Sequence, residues 1–339
     1  MDGQRNGVFA RSWVLTANCG NVKNSICNIN LSKKLKTTLY KKIAYVLTIC
    51  VLLGVFLTAF TACDSAEDRQ TNVTVLTWNI YQGSADVQAC LSTLAAEQPD
   101  IVCLQEATPN AYARIVDPFA VAHANYAVAC STVDDQVCRT PILYDTDKLS
   151  VLFQHTEVFV DSDHGSPSKS VAICVFADKL GNKFIVANIH GAVTRNKYQG
   201  LEDLTAEELA ELAIVWRTSN YRQAVAAINN VCTTYGALPV AVCGDFNTTA
   251  SSAPFTVWTD NGYVDGQHNA LSGGDDGLRT THIVGEMSPT GEAIDHIVAN
   301  DKVIFDSYRV LRDNVTLAAS DHCPIFCELR MQQDNVSEK

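Results

Sequence analysis

From Thr71 onward the chain alternates between apolar runs of strand length and longer stretches with helical spacing. Val73–Trp78 predicts a strand. Asp86 to Glu97 predicts a helix with Val87, Leu91 and Leu94 on one face. Pro99-Asp100 leads into a strand at Ile101–Leu104, and further strands are expected at Ile142–Tyr144, Val151–Val160 and Ser170–Ala177. Leu180–Lys183 reads as a turn into Phe184–Ala187, which makes the last two strands a hairpin. Thr205–Val231 predicts a long helix with Glu207, Glu208 and Glu211 near its start. Pro239–Cys243, Ile294–Ala299, Val303–Leu311 and Pro324–Leu329 complete the strands. Hairpins mixed with crossover helices define an α+β class, with mixed sheets covered by helices. No linker divides residues 71–331, so one domain is expected there, followed by a polar tail at 332–339.

Ahead of this domain the pattern changes. Residues 1–63 carry eight Lys/Arg against one acid, Asp2. Residues 1–42 form a basic segment ending in Lys33, Lys34, Lys36, Lys41 and Lys42, and the 20 residues Ile43–Ala62 hold no charge. A basic segment before an apolar one orients the N-terminus inward and exports the downstream chain. The run ends Leu57-Thr-Ala-Phe-Thr-Ala-Cys63, then a polar linker at 64–70. This resembles a bacterial lipoprotein signal, which implies Cys63 as the lipid attachment site, although Phe60 stands where such signals usually have Leu. The alternative is an uncleaved transmembrane helix, for which the length suffices. Either places the domain outside the cytoplasm, anchored to the bacterial membrane. Residues 1–30 lack periodicity and are long for a signal's basic region, so a start near Leu31 is an alternative expectation.

Composition narrows the function classes. With 339 residues and 47% hydrophobic content, a sizeable core is within reach. The net charge is −12, and beyond Cys63 there are 17 Lys/Arg against 36 Asp/Glu. Such an acidic domain repels polyphosphate backbones, which argues against non-specific nucleic-acid coating. A cation-filled cleft acting on a phosphoester is still allowed. The thirteen cysteines show no CxxC and no zinc spacing. Cys103, Cys174 and Cys243 lie in apolar runs, as buried thiols do. Nine cysteines follow Cys63, so at least one stays unpaired. Cys130 and Cys138, flanking a short polar loop, are the best disulfide candidates.

Several apolar strands are bounded by residues that are costly to bury. Asn79, Gln105-Glu106, Asn188-Ile-His190 and Asp245-Phe-Asn247 end strands, Asp295-His296 opens one, and Asp321-His322 comes just before the last. Singly, each is ambiguous: a carboxylate at a strand end is commonly a turn or cap residue, and a lone histidine is commonly hydrogen-bonded in a loop. Jointly they point to a site, because buried charges tend to be paired, metal-bound or catalytic.

Thr77-Trp-Asn-Ile80, Asp100-Ile-Val-Cys-Leu-Gln-Glu106, Ala187-Asn-Ile-His190, Gly244-Asp-Phe-Asn247, Ile294-Asp-His-Ile297 and Ser320-Asp-His-Cys-Pro324 resemble, in order, the motifs of the endonuclease/exonuclease/phosphatase superfamily. That superfamily includes deoxyribonuclease-I-like nucleases, abasic-site endonucleases, bacterial sphingomyelinases and inositol-polyphosphate 5-phosphatases. The resemblance covers residues 71–331. It implies a four-layer α/β/β/α sandwich of two mixed sheets flanked by helices, with the motifs gathered at one edge. It further implies a phosphoester hydrolase that uses Mg²⁺ or Mn²⁺. Glu106 would be the principal metal ligand, with Asn79 and Asp321 completing an oxygen-rich site as hard cations require. Asp245 would orient or deprotonate the attacking water, Asn247 would contact a phosphate oxygen, and His322 would hold the scissile phosphate. Asp295 would fix the His322 tautomer and favour its protonated form. His190 would be a phosphate contact or general acid. Two departures stand out. Cys138-Arg139 replaces the Glu that many relatives carry before the counterpart of Tyr144, which leaves His190 without an identified supporting acid. The loop Asp275–Thr281 resembles the one that precedes the Asp295 motif, with no role assigned.

The substrate stays open between small phosphoesters and extracellular nucleic acid. Acidity favours the former, and a monomer is expected. A catalytically inactive surface-binding protein on the same scaffold is the alternative from another class. None of Glu106, Asp245, Asn247, Asp321 or His322 is lost, which argues against it.

Overall fold

The computed structural model describes residues 70–160, 168–274, 279–288 and 290–333. The basic segment, the apolar run, Cys63 and the polar tail beyond 333 lie outside the described residues. Among the described residues, no helix is long and apolar enough to cross a membrane.

Two six-stranded mixed sheets face each other. The first contains β1 (Gln70–Asn79), β2 (Ile101–Gln105), β3 (Tyr126–Ala129), β6 (Ile142–Asp145), β13 (Val303–Val310) and β14 (Ile325–Gln332), in the order β13-β14-β1-β2-β6-β3. The second contains β7 (Leu149–Val158), β8 (Ser170–Asp178), β9 (Lys183–His190), β10 (Val240–Asp245), β11 (Val264–Asp265) and β12 (Asp295–Ala299), in the order β11-β12-β10-β9-β8-β7. A small hairpin, β4 (Thr132–Val133) with β5 (Gln136–Val137), stands apart.

Each sheet has one parallel pair near its middle, β1 with β2 and β9 with β10. A parallel pair needs a crossover, and a helix supplies each one. Helix α1 (Val87–Glu97) joins β1 to β2, and α2 (Ala206–Tyr235) joins β9 to β10. Their starts were legible. Asp86 caps α1 by accepting from the amides of Gln88 and Ala89. Thr205 and Glu208 form a capping box on α2. A third helix, α3 (Asn314–Ala319), precedes β14 and packs on α1.

Three buried clusters correspond to the layers. One lies between the sheets and includes Val75, Cys103, Phe176, Val186, Cys243 and Ile325. A second joins the outer face of the second sheet to α2 through Tyr221, Ala224 and Ile228. The third joins the outer face of the first sheet to α1 through Leu76, Leu104 and Leu94. This is the expected four-layer sandwich. Strands covered on both faces read as continuous apolar runs, which is why the pattern located them.

Two parts differ from expectation. Residues 109–122 form a helical path (Pro109–Ala111, a π turn at Tyr112–Val116, then Asp117–Ala122), and β3 follows it. Pro109 and Pro118 hide the path, because each occupies a first-turn position yet reads as a breaker. The Cys130–Cys138 pairing is also corrected. Both thiols are free, and Cys130 Sγ lies 3.7 Å from Cys174 Sγ. Cys138 Sγ instead faces the hydroxyls of Thr140 and Thr156. The hairpin brings the two backbones together through Cys138 N–H to Ser131 O, yet the nearest sulfur to Cys130 Sγ that its contacts show is that of Cys174.

Candidate active site

The carboxyl ends of both parallel pairs open on one edge of the sandwich, where open sheets commonly bind ligands. Register then aligns the polar residues. Asn79 lies opposite Gln105, while His190, Asp245 and Asp295 lie side by side across β9, β10 and β12. Because β14 runs antiparallel to β1, with Ile325 opposite Thr77, the segment Ser320–His322 reaches the same edge. β9 and β10 approach closely at Gly244. Its φ is +147°, and a Cβ there would lie 2.0 Å from Ile189 O, so only glycine fits.

A buried polar bridge ties the sheets together beneath this edge. Gln105 Nε2 donates to Asn188 Oδ1 at 2.7 Å and to Thr77 Oγ1 at 2.9 Å. Asn188 Nδ2 donates to Leu104 O and Pro141 O at 2.8 and 2.9 Å. Above it, Asn79 Nδ2 donates to Asp245 Oδ2 at 2.9 Å and links the two sheets within the site. Trp78 Nε1 donates to His322 O at 2.7 Å, and Ser320 Oγ donates to Asn79 O at 2.7 Å. These bonds fix the loop that carries Asp321 and His322.

His322 and Asp295 form a pair, Nδ1 to Oδ2 at 2.8 Å, with both residues buried. Burial alone would lower the histidine's pKa. Asp295, with help from Asp245 and Asp321, outweighs it and raises the value to about 10, so the ring is imidazolium. Thr280 Oγ1 accepts from the amides of Ile294 and Asp295, both at 3.1 Å, and holds the aspartate in place. Asp245 is raised to about 6 by burial and by Asp295, against the pull of His322, Lys169 and Asn79. Its Oδ1 accepts from Asn247 N at 2.9 Å. Asn247 has φ +53°, a conformation asparagine tolerates better than most residues, and its Nδ2 donates to Gly191 O at 3.1 Å.

His190 Nε2 lies 3.4 Å from Asp245 Oδ2 and 2.6 Å from Lys169 Nζ. Burial, then Lys169, His322 and Arg195, push its pKa well below the usual range. The ring is therefore neutral, and its contact with Asp245 is not an ion pair. Lys169 is 3% exposed. Sequence reasoning missed this lysine, because the preceding Gly165-Ser-Pro-Ser reads as a surface loop.

Glu106 stands on a left-handed residue (φ +59°) at the end of β2, and its Oε2 is buried with no hydrogen-bond partner. Asp321's own burial, and then the charge of Glu106, raise the Asp321 pKa against the pull of His322. The orphaned oxygen of Glu106, with Asp321 near enough to feel its charge, fits a hard divalent cation. Asn79 Oδ1 accepts from Tyr81 N at 3.1 Å and keeps a second lone pair. Asp245, Asp295 and His322 also present ligand atoms within 4.8 Å of one another and could hold a metal ion. In the arrangement seen, however, His322 Nδ1 is taken by Asp295. The oxygen set of Glu106, Asp321 and Asn79 is thus the better match to a hard cation. The fold brings all eight predicted site residues of the domain to one edge.

A two-sheet sandwich with such an edge defines a class of phosphoester-processing proteins. The model of the Endonuclease/Exonuclease/phosphatase family matches residues 76–322, more than half of the chain, and the chain belongs to that family. Similar solved structures include an endonuclease/exonuclease/phosphatase from Bacteroides vulgatus (21% identity, TM-score 0.58, 77% of this chain and 100% of that one). The mannosyl-6-phosphatase of Bacteroides thetaiotaomicron is another (16%, 0.58, 76% and 99%). So is D. rerio TDP2 complexed with a single-strand DNA product (17%, 0.56, 76% and 99%). No curated protein matches the sequence. Family membership supports phosphoester hydrolysis in general, and the Asp/Asp/His group is one that could bind a metal.

Proposed function

We propose that the chain is a Mg²⁺- or Mn²⁺-dependent hydrolase of phosphoesters, in which an Asp245-activated water attacks in line. The observation that carries this reading is the joint placement of Asp245, the His322–Asp295 pair and the unpaired Glu106 oxygen at one edge. When bound by Glu106, Asp321 and Asn79, the cation supplies Lewis-acid polarisation of the phosphoryl group. Asp245, buried beside Asn79 and Asn247, accepts the proton of water. The His322 imidazolium donates to a phosphoryl oxygen whose charge grows in the transition state. Asp295 keeps that ring charged and oriented. Asn247 contacts a second phosphate oxygen.

A small phosphomonoester or phosphodiester is the favoured substrate, since 36 acids against 17 bases beyond Cys63 disfavour a polyanion. The test is a panel of nucleotides, sugar and inositol phosphates, sphingomyelin, DNA and RNA with the full chain. We expect turnover with Mg²⁺ or Mn²⁺ and at least a hundredfold loss after exhaustive chelation, restored by adding the ion back. Full activity in chelator would reject the metal. No turnover of any substrate would favour the inactive scaffold.

The proposed location is the outer face of the membrane, with Cys63 as the lipid attachment site. Cys63→Ala should abolish labelling by a fatty-acid probe and release the protein from membranes. Unchanged processing and labelling would rule out the lipoprotein form and leave the uncleaved helix.

A further inference from the structure

We propose that Lys169 is the proton donor to the leaving oxygen, with His190 serving as its hydrogen-bond acceptor. The inference rests on the hydrolase reading above and assigns it a further catalytic residue.

Lys169 immediately precedes β8, and Ser170 lies opposite His190 in the β8–β9 register. The same line continues to Asp245 and Asp295. Lys169 thus joins the catalytic edge on four adjacent strands. A lysine ammonium is seldom buried this fully, and here it reaches Nε2 of His190 at 2.6 Å. An ammonium can only donate, so Nε2 is the acceptor and holds no proton. The ring that the family resemblance marks as a general acid is thereby placed in the opposite role. The sequence agrees, because Cys138-Arg139 stands where a supporting acid would be expected. A histidine acts as an acid when a carboxylate holds its charge; this one faces a cation, with His322 and Arg195 also opposing a second positive charge. The 3.4 Å gap to Asp245 Oδ2 has the same origin, since a ring lone pair and a carboxylate both accept.

The step balances. As water attacks phosphorus, its proton passes to Asp245 and the ester P–O bond breaks. The leaving oxygen keeps the electron pair and takes a proton from Lys169. On product release Asp245 gives up its proton to solvent and the Lys169 amine takes one back. Water has been added across the ester, and the resting protonation is restored.

The experiment measures kcat and KM on a series of substituted phenyl phosphates, as mono- and diesters, with Mg²⁺ or Mn²⁺. Good leaving groups such as 4-nitrophenol need no proton, whereas phenol does. For Lys169→Met we expect about a tenfold loss in kcat on the nitrophenyl ester and about a thousandfold on the phenyl ester. Lys169→Arg keeps the charge but is too weak an acid, so KM should hold while the steep leaving-group dependence remains. His190→Gln leaves an acceptor for Nζ, and its loss should be smaller than that of Lys169→Met and even across the series. Thermal midpoints establish that each variant folds. An equal loss at every leaving group in Lys169→Met overturns the assignment. So does a steep dependence in His190→Gln, which also decides the matter if Lys169→Met does not fold. Wild-type protein that hydrolyses neither this series nor any substrate of the panel above removes the hydrolase reading itself, and the inference with it.

Discussion

Asp245→Asn is expected to lower kcat by about a thousandfold while leaving the fold intact, because it removes the group that takes the proton from water. The substitution is close to isosteric. Asn247 N donates to one carboxylate oxygen and Asn79 Nδ2 to the other, so asparagine keeps one of these contacts through its single oxygen and loses the other. The basic carboxylate is lost as well. The stability readout has a definite sign. Burial and Asp295 raise the Asp245 pKa to about 6, above the usual carboxylate range. A carboxyl whose folded pKa is raised contributes stability at low pH, and that contribution is lost as pH rises through the folded value. Near pH 8 the folded protein is therefore holding an unfavourable charge, and asparagine relieves it. Relief of that charge opposes the loss of one hydrogen bond, so the thermal midpoint should stay close to that of the wild type, while turnover collapses. Wild-type turnover in a folded Asp245→Asn would end the general-base assignment.

The sequence made much of this site legible for a physical reason. Strands covered on both faces leave long apolar runs, so polar residues at their ends stand out. Asn79, Glu106, His190 and Asp245 each close such a run, and the parallel pairing sends all four to one edge. Other residues depend on tertiary geometry that no local pattern reveals. Gln105 and Asn188 fall within motifs, yet their task is to bridge the two sheets across 83 residues of sequence. Thr280 holds the amide of Asp295 from a loop whose composition looks like any polar turn. Lys169 is the clearest case. A lysine before an apolar strand reads as a solvated flank, and only the neighbouring strand's His190 makes it a buried donor. The cysteines err in the same way. Cys130 and Cys138 are near in sequence, but Cys130 points across the sandwich to Cys174.

The second large effect concerns His322 and Asp295. His322→Ala should lower kcat by three to four orders of magnitude, about 4–5 kcal/mol in transition-state terms, because it removes a cation from a growing phosphoryl charge. Asp295→Asn should cost about a hundredfold, since the imidazole stays but loses its charge support and orientation. The two losses should not add: the double variant should match His322→Ala, as residues acting as one unit do. Stability should obey a different rule. His322→Ala strands the Asp295 carboxylate, whose Oδ1 already has no hydrogen-bond partner, beside Asp245 in a buried site. Removing one member of a buried pair is strongly destabilising. Adding Asp295→Asn removes the stranded charge, so the double variant should melt above His322→Ala while being no more active. If the pair merely stapled β12 to the segment before β14, turnover would track the midpoint and recover with it in the double variant. Thermal midpoints and kcat for the two singles and the double decide between a catalytic pair and a structural clasp, because recovery of stability without recovery of turnover is open only to the former.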